Sequence, residues 1–166
     1  MVNRSYICAN NLLIMRKQFF GLLFLTLFVS TFSCEKDEID RVAVDQEIIE
    51  QYLADNNISA TKHESGIYYV IETEGTGGHP GPTSEVAVKY KGFLTDGTVF
   101  DQTNGSSANF NLPNLIVGWQ IGIRLLQKGG KGTFYIPSYL GYGRFPPTGI
   151  PENAVLIFDI ELIDFG

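Results

Sequence analysis

Along the chain, apolar residues first form a near-continuous run, then recur at a helical spacing, then alternate as in strands. The run spans Phe19 to Val29 and follows Arg16 and Lys17. In residues 45–55, DQEIIEQYLAD, the pairs Ile48/Tyr52 and Ile49/Leu53 repeat at i, i+4 behind Asp45, a candidate N-cap. That pattern predicts a short amphipathic helix stopped by Asn56 and Asn57. A helix this short is marginal alone, so it is expected to dock on the domain, with a dimerisation arm as the alternative. From Gly66 the period becomes two. GIYYVIETEG reads as a strand, and the Gly/Pro-rich GTGGHPGPTS as a loop. In EVAVKYKGFLT, Val86, Val88, Tyr90 and Gly92 share one face, and Glu85, Ala87, Lys89 and Lys91 the other. Asp96-Gly97 is a hairpin turn that returns the chain as TVF. Residues 115–127, LIVGWQIGIRLLQ, predict the one apolar helix of the domain, with Ile116, Trp119, Ile123 and Leu126 along one stripe and Gly129-Gly130 as its stop. Gly118 and Gly122 weaken it by roughly 1 kcal/mol each, and their shared face suggests close packing on a sheet. KGTFYIP and AVLIFDIELIDF follow as strands, the second with Ala154, Leu156, Phe158, Ile160 and Leu162 on one face. The expected fold class is α+β, a twisted antiparallel sheet wrapped over one short helix.

Composition narrows the function classes. The chain has 166 residues, a formal charge of −6 and 44% hydrophobic residues, which suits one globular domain with an addition. The acidic balance argues against a nucleic-acid partner, because little here could displace condensed counterions. Cys8 and Cys34 both precede the domain, so no disulfide framework is implied. His63 and His79 stand apart with no cysteine nearby, and no metal or cofactor is expected.

The N-terminal pattern is a targeting signal rather than part of the fold. A basic start, an apolar centre and Cys34 behind Thr31, Phe32 and Ser33 resemble the lipobox of a bacterial lipoprotein. The resemblance implies cleavage before Cys34 and lipid on its thiol and new amine, with a single membrane span as the alternative. Residues 1–14 look like no part of a signal, so translation is expected to start at Met15. The acidic CEKDEIDR at 34–41 reads as a solvated linker, with residues 35–44 as tether, and it also resembles the surface-export signal of some lipoproteins. The expected organisation is therefore a signal peptide at 1–33, a lipid-anchored acidic linker with a short helix at 34–64, and one domain at 65–166. Localisation would be the cell envelope, with the outer membrane favoured and the membrane face open.

No conventional catalytic constellation is visible. The histidines lack a neighbouring nucleophile, no paired carboxylates mark a cleft, and the glycine-rich loop lacks the Gly-Lys-Ser/Thr ending of a phosphate-binding loop. What the domain offers is aromatic residues near turns. An isolated ring is more often core than site, and a lone Asp such as Asp101 is more often capping or solvated. Yet VKYKGFLTDGTVFDQT, LIVGWQIGI, YLGYG and IPENAVLIFDIELID occur in an order and spacing that resemble the FKBP-type peptidyl-prolyl isomerase family. The resemblance covers about residues 66–166 and implies a curved antiparallel half-barrel around a short helix.

It also implies roles. Tyr90, Phe100 and Asp101 would be pocket walls, with Phe100 on the proline ring and Asp101 orienting polar groups. Leu115 and Ile116 would line the approach to a floor made by the Trp119 indole. The Tyr142 hydroxyl would bond a client carbonyl, and Ile150, Phe158 and Phe110 would complete the walls. Three departures stand out. The loop DQTNGSSANFNL has no Arg near the Asp, Ala108 replaces a usual aromatic, and the stretch from Leu112 to Ile116 is short. Phe145 and Pro146 need not point as in the family.

The expected function is prolyl cis–trans isomerisation during folding of envelope proteins. The expected partners are proline-containing polypeptides and macrolide inhibitors, with the membrane reached through Cys34 and the protein a monomer. A non-catalytic proline-peptide chaperone or assembly subunit on the same fold is the alternative.

Overall fold

The computed structural model describes residues 35–166; Cys8, the Met15 start, the apolar run and Cys34 lie outside the described residues. The chain begins with helix α1 (Glu35–Asp55). Seven strands follow: β1 (Thr61–Lys62), β2 (Tyr68–Thr73), β3 (Glu85–Leu94), β4 (Val99–Gln102), β5 (Ala108–Asn111), β6 (Lys131–Ile136) and β7 (Leu156–Phe165). Helix α2 (Val117–Gly122) lies between β5 and β6, continued by a 3₁₀ turn over Ile123–Leu125. Every strand pairing is antiparallel. The order across the sheet is β1-β2-β6-β7-β3-β4, with β5 also on β3. Since β7 occupies the other side of β3, β4 and β5 share one edge: β4 pairs with Lys91 to Phe93, and β5 with Glu85 to Val88.

Burial follows the alternation read from the sequence. Val86 and Val88 of β3, Phe134 and Ile136 of β6, and Leu156, Phe158, Ile160 and Leu162 of β7 pack with Trp119 and Ile123. The opposite face carries a second cluster, in which Ile49 and Leu53 of α1 cover Tyr68, Tyr135, Val155 and Ile157. Where both faces are covered, at Phe134–Ile136 of β6 and Leu156–Phe158 of β7, consecutive residues are buried and apolar, while the rest of β7 alternates. Burial pushes the Tyr135 phenol up to about 12. Tyr68 donates to Glu50 of α1 at 2.5 Å, tying the helix to β2.

Three expectations need correction. The helix begins at Glu35, so residues 35–44 are helical rather than a tether. Glu, Lys and Arg are good helix formers, and a charged segment can extend a docked helix without adding an apolar stripe. Asp45 is consequently inside the helix, fully buried, and is no N-cap. The central helix is six residues plus one turn, not thirteen. Leu115 and Ile116 have extended backbone and Leu126 leaves the turn extended. The docking of the N-terminal helix and the close approach at Gly118 and Gly122 are both found. A Cβ on Gly118 would stand 2.4 Å from Ile136 Cγ2, and one on Gly122 2.8 Å from Phe134 Cδ1. Those contacts let α2 lie directly on β6.

Candidate functional site

α2 holds Trp119 against the concave face of the sheet, and three rings stand edge-on to its indole. Centroids lie 4.9 Å away for Tyr90, 5.2 Å for Phe158 and 5.8 Å for Phe110, at interplanar angles of 83°, 86° and 87°. Edge-to-face pairs of this kind contribute beyond their buried area. Together they bound a cavity of about 180 Å³ lined by Tyr90, Asp101, Phe110, Asn114, Leu115, Ile116, Trp119, Tyr142 and Phe158. The extended backbone that shortens α2 is what puts Leu115 and Ile116 on the wall. Gln120 fixes that approach, donating to the Leu115 carbonyl at 2.7 Å and the Pro113 carbonyl at 3.3 Å.

The polar groups sit around the apolar floor. Tyr90 donates its hydroxyl to Asp101 Oδ2 at 2.6 Å. Burial, then this bond and the Asp101 charge, holds the Tyr90 phenol well above its ordinary value. Tyr142 is raised by burial first and by Asp101 second. The Tyr142 hydroxyl has no hydrogen-bond partner among the described residues, so it can donate to an incoming carbonyl. Trp119 Nε1 is the one buried side-chain polar atom left unpaired among the described residues. Buried donors without partners are uncommon and costly, and functional sites are where they persist.

Of the residues singled out in the sequence, the fold gathers Tyr90, Asp101, Phe110, Leu115, Ile116, Trp119, Tyr142 and Phe158 around one space. Phe100 and Ile150 do not line it. The Phe100 ring packs edge-on to Phe158 at 5.4 Å, supporting a wall from outside, and Ile150 packs on the core from the 143–151 loop. Phe145 is 91% exposed and forms no wall. Asn114 was missed; a lone Asn in a Pro-Asn turn carries no signal of a pocket. The loop after Asp101 is not all loop, since Ala108–Asn111 pairs with β3 and carries Phe110 to the site. Both histidines are occupied locally: His63 Nδ1 accepts from the Ser65 N–H at 3.1 Å, and His79 Nδ1 donates to the Leu126 carbonyl at 3.1 Å. A larger hollow of about 350 Å³ lies among Glu72, Lys89, Lys91, Lys131, Asp159 and Glu161. It is open and lined mainly by charged side chains, with Tyr90 and Ile160 its only large apolar groups among the described residues, so it suits a proline ring poorly.

Residues 77–163, just over half the chain, match the family described as FKBP-type peptidyl-prolyl cis-trans isomerase. FkpA of Aeromonas hydrophila is 44% identical over 135 residues, covering 77% of this chain and 50% of that one. FkpA of Escherichia coli K12 is 37% identical over 132 residues, covering 78% and 48%. The chain thus spans about half the length of the curated relatives it matches. The crystal structure of FkpA from Escherichia coli superposes with a TM-score of 0.67 at 37% identity, over 79% of this chain and 62% of that one. A peptidyl-prolyl isomerase from Pseudomonas syringae superposes at 0.65 and 29% identity, over 75% of this chain and 96% of its own. Sequence, fold and the aromatic cavity agree: the chain belongs to the FKBP-type peptidyl-prolyl cis-trans isomerase family.

Proposed function

We propose that the protein accelerates cis–trans isomerisation of X–Pro bonds in client polypeptides. The observation that carries this reading is the half-open aromatic cavity lined by Trp119, with an unpartnered Tyr142 hydroxyl among its lining residues. Rotation about the X–Pro bond crosses a barrier of about 20 kcal/mol and takes tens of seconds or more unaided. The barrier is lost amide resonance, so the reaction needs neither nucleophile nor proton shuttle. Tyr90, Phe110, Trp119 and Phe158 take the pyrrolidine ring into an apolar space. There the planar amide loses the water that stabilises its separated charge, while the twisted amide loses less. The Tyr142 hydroxyl holds a flanking carbonyl, and the Tyr90–Asp101 bond fixes the polar rim. A site that binds the twisted amide better than either planar form speeds both directions, tenfold for each 1.36 kcal/mol of preference. Macrolide inhibitors would compete for the same apolar floor.

The test follows relaxation of a short cis-enriched proline peptide by a protease-free method, using the full chain in mild detergent. Acceleration proportional to protein concentration is expected, reduced about tenfold or more by Phe110→Ala. A folded protein that leaves the relaxation unchanged would end the enzymatic reading. If it still bound proline peptides, a recognition module would remain.

We further propose that Cys34 carries lipid and holds the domain at the cell envelope, where its clients would be envelope proteins. The support is the basic and apolar run that ends in Thr31-Phe32-Ser33-Cys34, directly before α1. Metabolic labelling with an alkyne fatty acid should mark the protein, and Cys34→Ser should abolish the label. An unlabelled parent protein would exclude the anchor.

A further inference from the structure

We infer that Asp45, on α1, is a positioning residue for Tyr142, so that the N-terminal helix is part of the pocket's construction. This rests on reading Tyr142 as the pocket-edge hydroxyl. Asp45 has no exposed surface, which is unusual for a carboxylate and requires partners. It finds them 93 positions away: Oδ2 accepts from the Ser138 backbone N–H at 2.8 Å and from the Ser138 hydroxyl at 2.6 Å. Two other groups face it. Arg41 Nη1 approaches Oδ1 at 3.4 Å from the same helix, and the Tyr139 phenol feels its charge.

Ser138 in turn controls the segment that bears Tyr142. Its carbonyl accepts from Gly141 N–H at 3.0 Å and from Gly143 N–H at 2.9 Å. Those two amides bracket Tyr142 in the chain. Gly143 is secured from the other side, its carbonyl accepting from Asn153 N–H at 2.7 Å. A continuous path therefore runs from the Asp45 carboxylate through Ser138 to the Leu140–Gly141 and Tyr142–Gly143 peptide groups, which hold the segment that carries the Tyr142 side chain. The serine is engaged through three groups, so its peptide plane has little freedom to rotate. A second tie restrains the same corner, where the Tyr139 hydroxyl donates to the Ser65 carbonyl at 3.4 Å. With the carboxylate gone, Ser138 would leave two buried donors unpaired and the corner would reorient to hydrate them. The Tyr142 hydroxyl would then miss its carbonyl, and small misplacements at a reacting group cost rate steeply.

The experiment is a double-mutant cycle in the full chain, read by peptide isomerisation. Tyr142→Phe is measured first, and a fall in rate supports the site reading on which the inference rests. Asp45→Ala alone is expected to lower kcat/KM about five- to tenfold, with Asp45→Asn, which keeps an acceptor, restoring most of it. In the Tyr142→Phe background, Asp45→Ala should cost less than about twofold, because the hydroxyl it positions is already absent. Equal losses in both backgrounds, or a change in melting temperature with no change in rate, would overturn the assignment. Should Asp45→Ala not fold, or Tyr142→Phe prove silent, hydrogen exchange in Asp45→Asn decides the point. The Gly141 and Gly143 amides are expected to exchange about tenfold faster while the β6 and β7 amides hold. Unchanged exchange at those two glycines would refute the positioning role whatever the fate of the isomerase reading.

Discussion

Phe134→Ala is expected to lower the free energy of unfolding by about 3–5 kcal/mol. Phe134 is fully buried at the centre of β6. Its ring lies beneath Gly122 of α2, contacts Tyr69 at a centroid distance of 6.5 Å, and sits opposite Phe158 in the β6–β7 register. Collapse into the space is opposed, because both flanking strands are fixed by ladder hydrogen bonds and α2 stays seated on Ile136 through Gly118. The cost should therefore lie toward the upper part of that range. Urea or thermal denaturation of parent and variant would measure it. A loss under about 1 kcal/mol would mean that the sheet and α2 repack freely.

Gly92→Ala is expected to cut the proposed isomerase activity by about ten- to a hundredfold while most of the fold survives. Gly92 lies in β3 opposite Asp101 of β4 and Phe158 of β7. An added Cβ would sit 2.7 Å from Phe100 Cε2 and 2.7 Å from Phe158 Cε1, distances that non-bonded carbons do not tolerate. Overpacking of this kind costs about 1–3 kcal/mol and is relieved by moving rings. Phe158 is the ring that touches both Trp119 and the cavity, so relief on that side displaces a wall. The peptide relaxation assay, beside a melting curve, separates the two effects. Full activity from a folded variant would show that the Phe100–Phe158 pair is not needed in its present place.

Legibility in the sequence followed the range of the interaction concerned. Alternation in β3 and β7 was visible because every second residue meets the same core, and both faces came out as read. β5 was hidden: Ala108, Asn109, Phe110 and Asn111 do alternate, but four residues behind Gly105-Ser106-Ser107 resemble a loop. α2 is shorter than its apolar run from Leu115 to Leu126 suggests, because that run fits a helical period while Leu115 and Ile116 are extended, with the Leu115 carbonyl held by Gln120. The pocket residues were found through motif order rather than chemistry, since rings that bind proline look locally like rings that fill a core. Asp45 could not be read at all. Nothing in EIDRVAVDQE announces a partner near residue 138, and a carboxylate just ahead of Ile48 and Ile49 reads first as a cap.

The position of β7 has a consequence for how the chain acquires its shape. β7 follows every other strand in the sequence, yet it lies in the middle of the sheet, joining β6 on one side to β3 on the other. Until those ten residues emerge, the halves β1-β2-β6 and β3-β4-β5 share no ladder, and Phe158 cannot reach Trp119. Closure between distant segments is slow, because loop entropy is lost before contacts repay it. A chain leaving the ribosome thus stays open until β7 appears, and the two halves join in one late step.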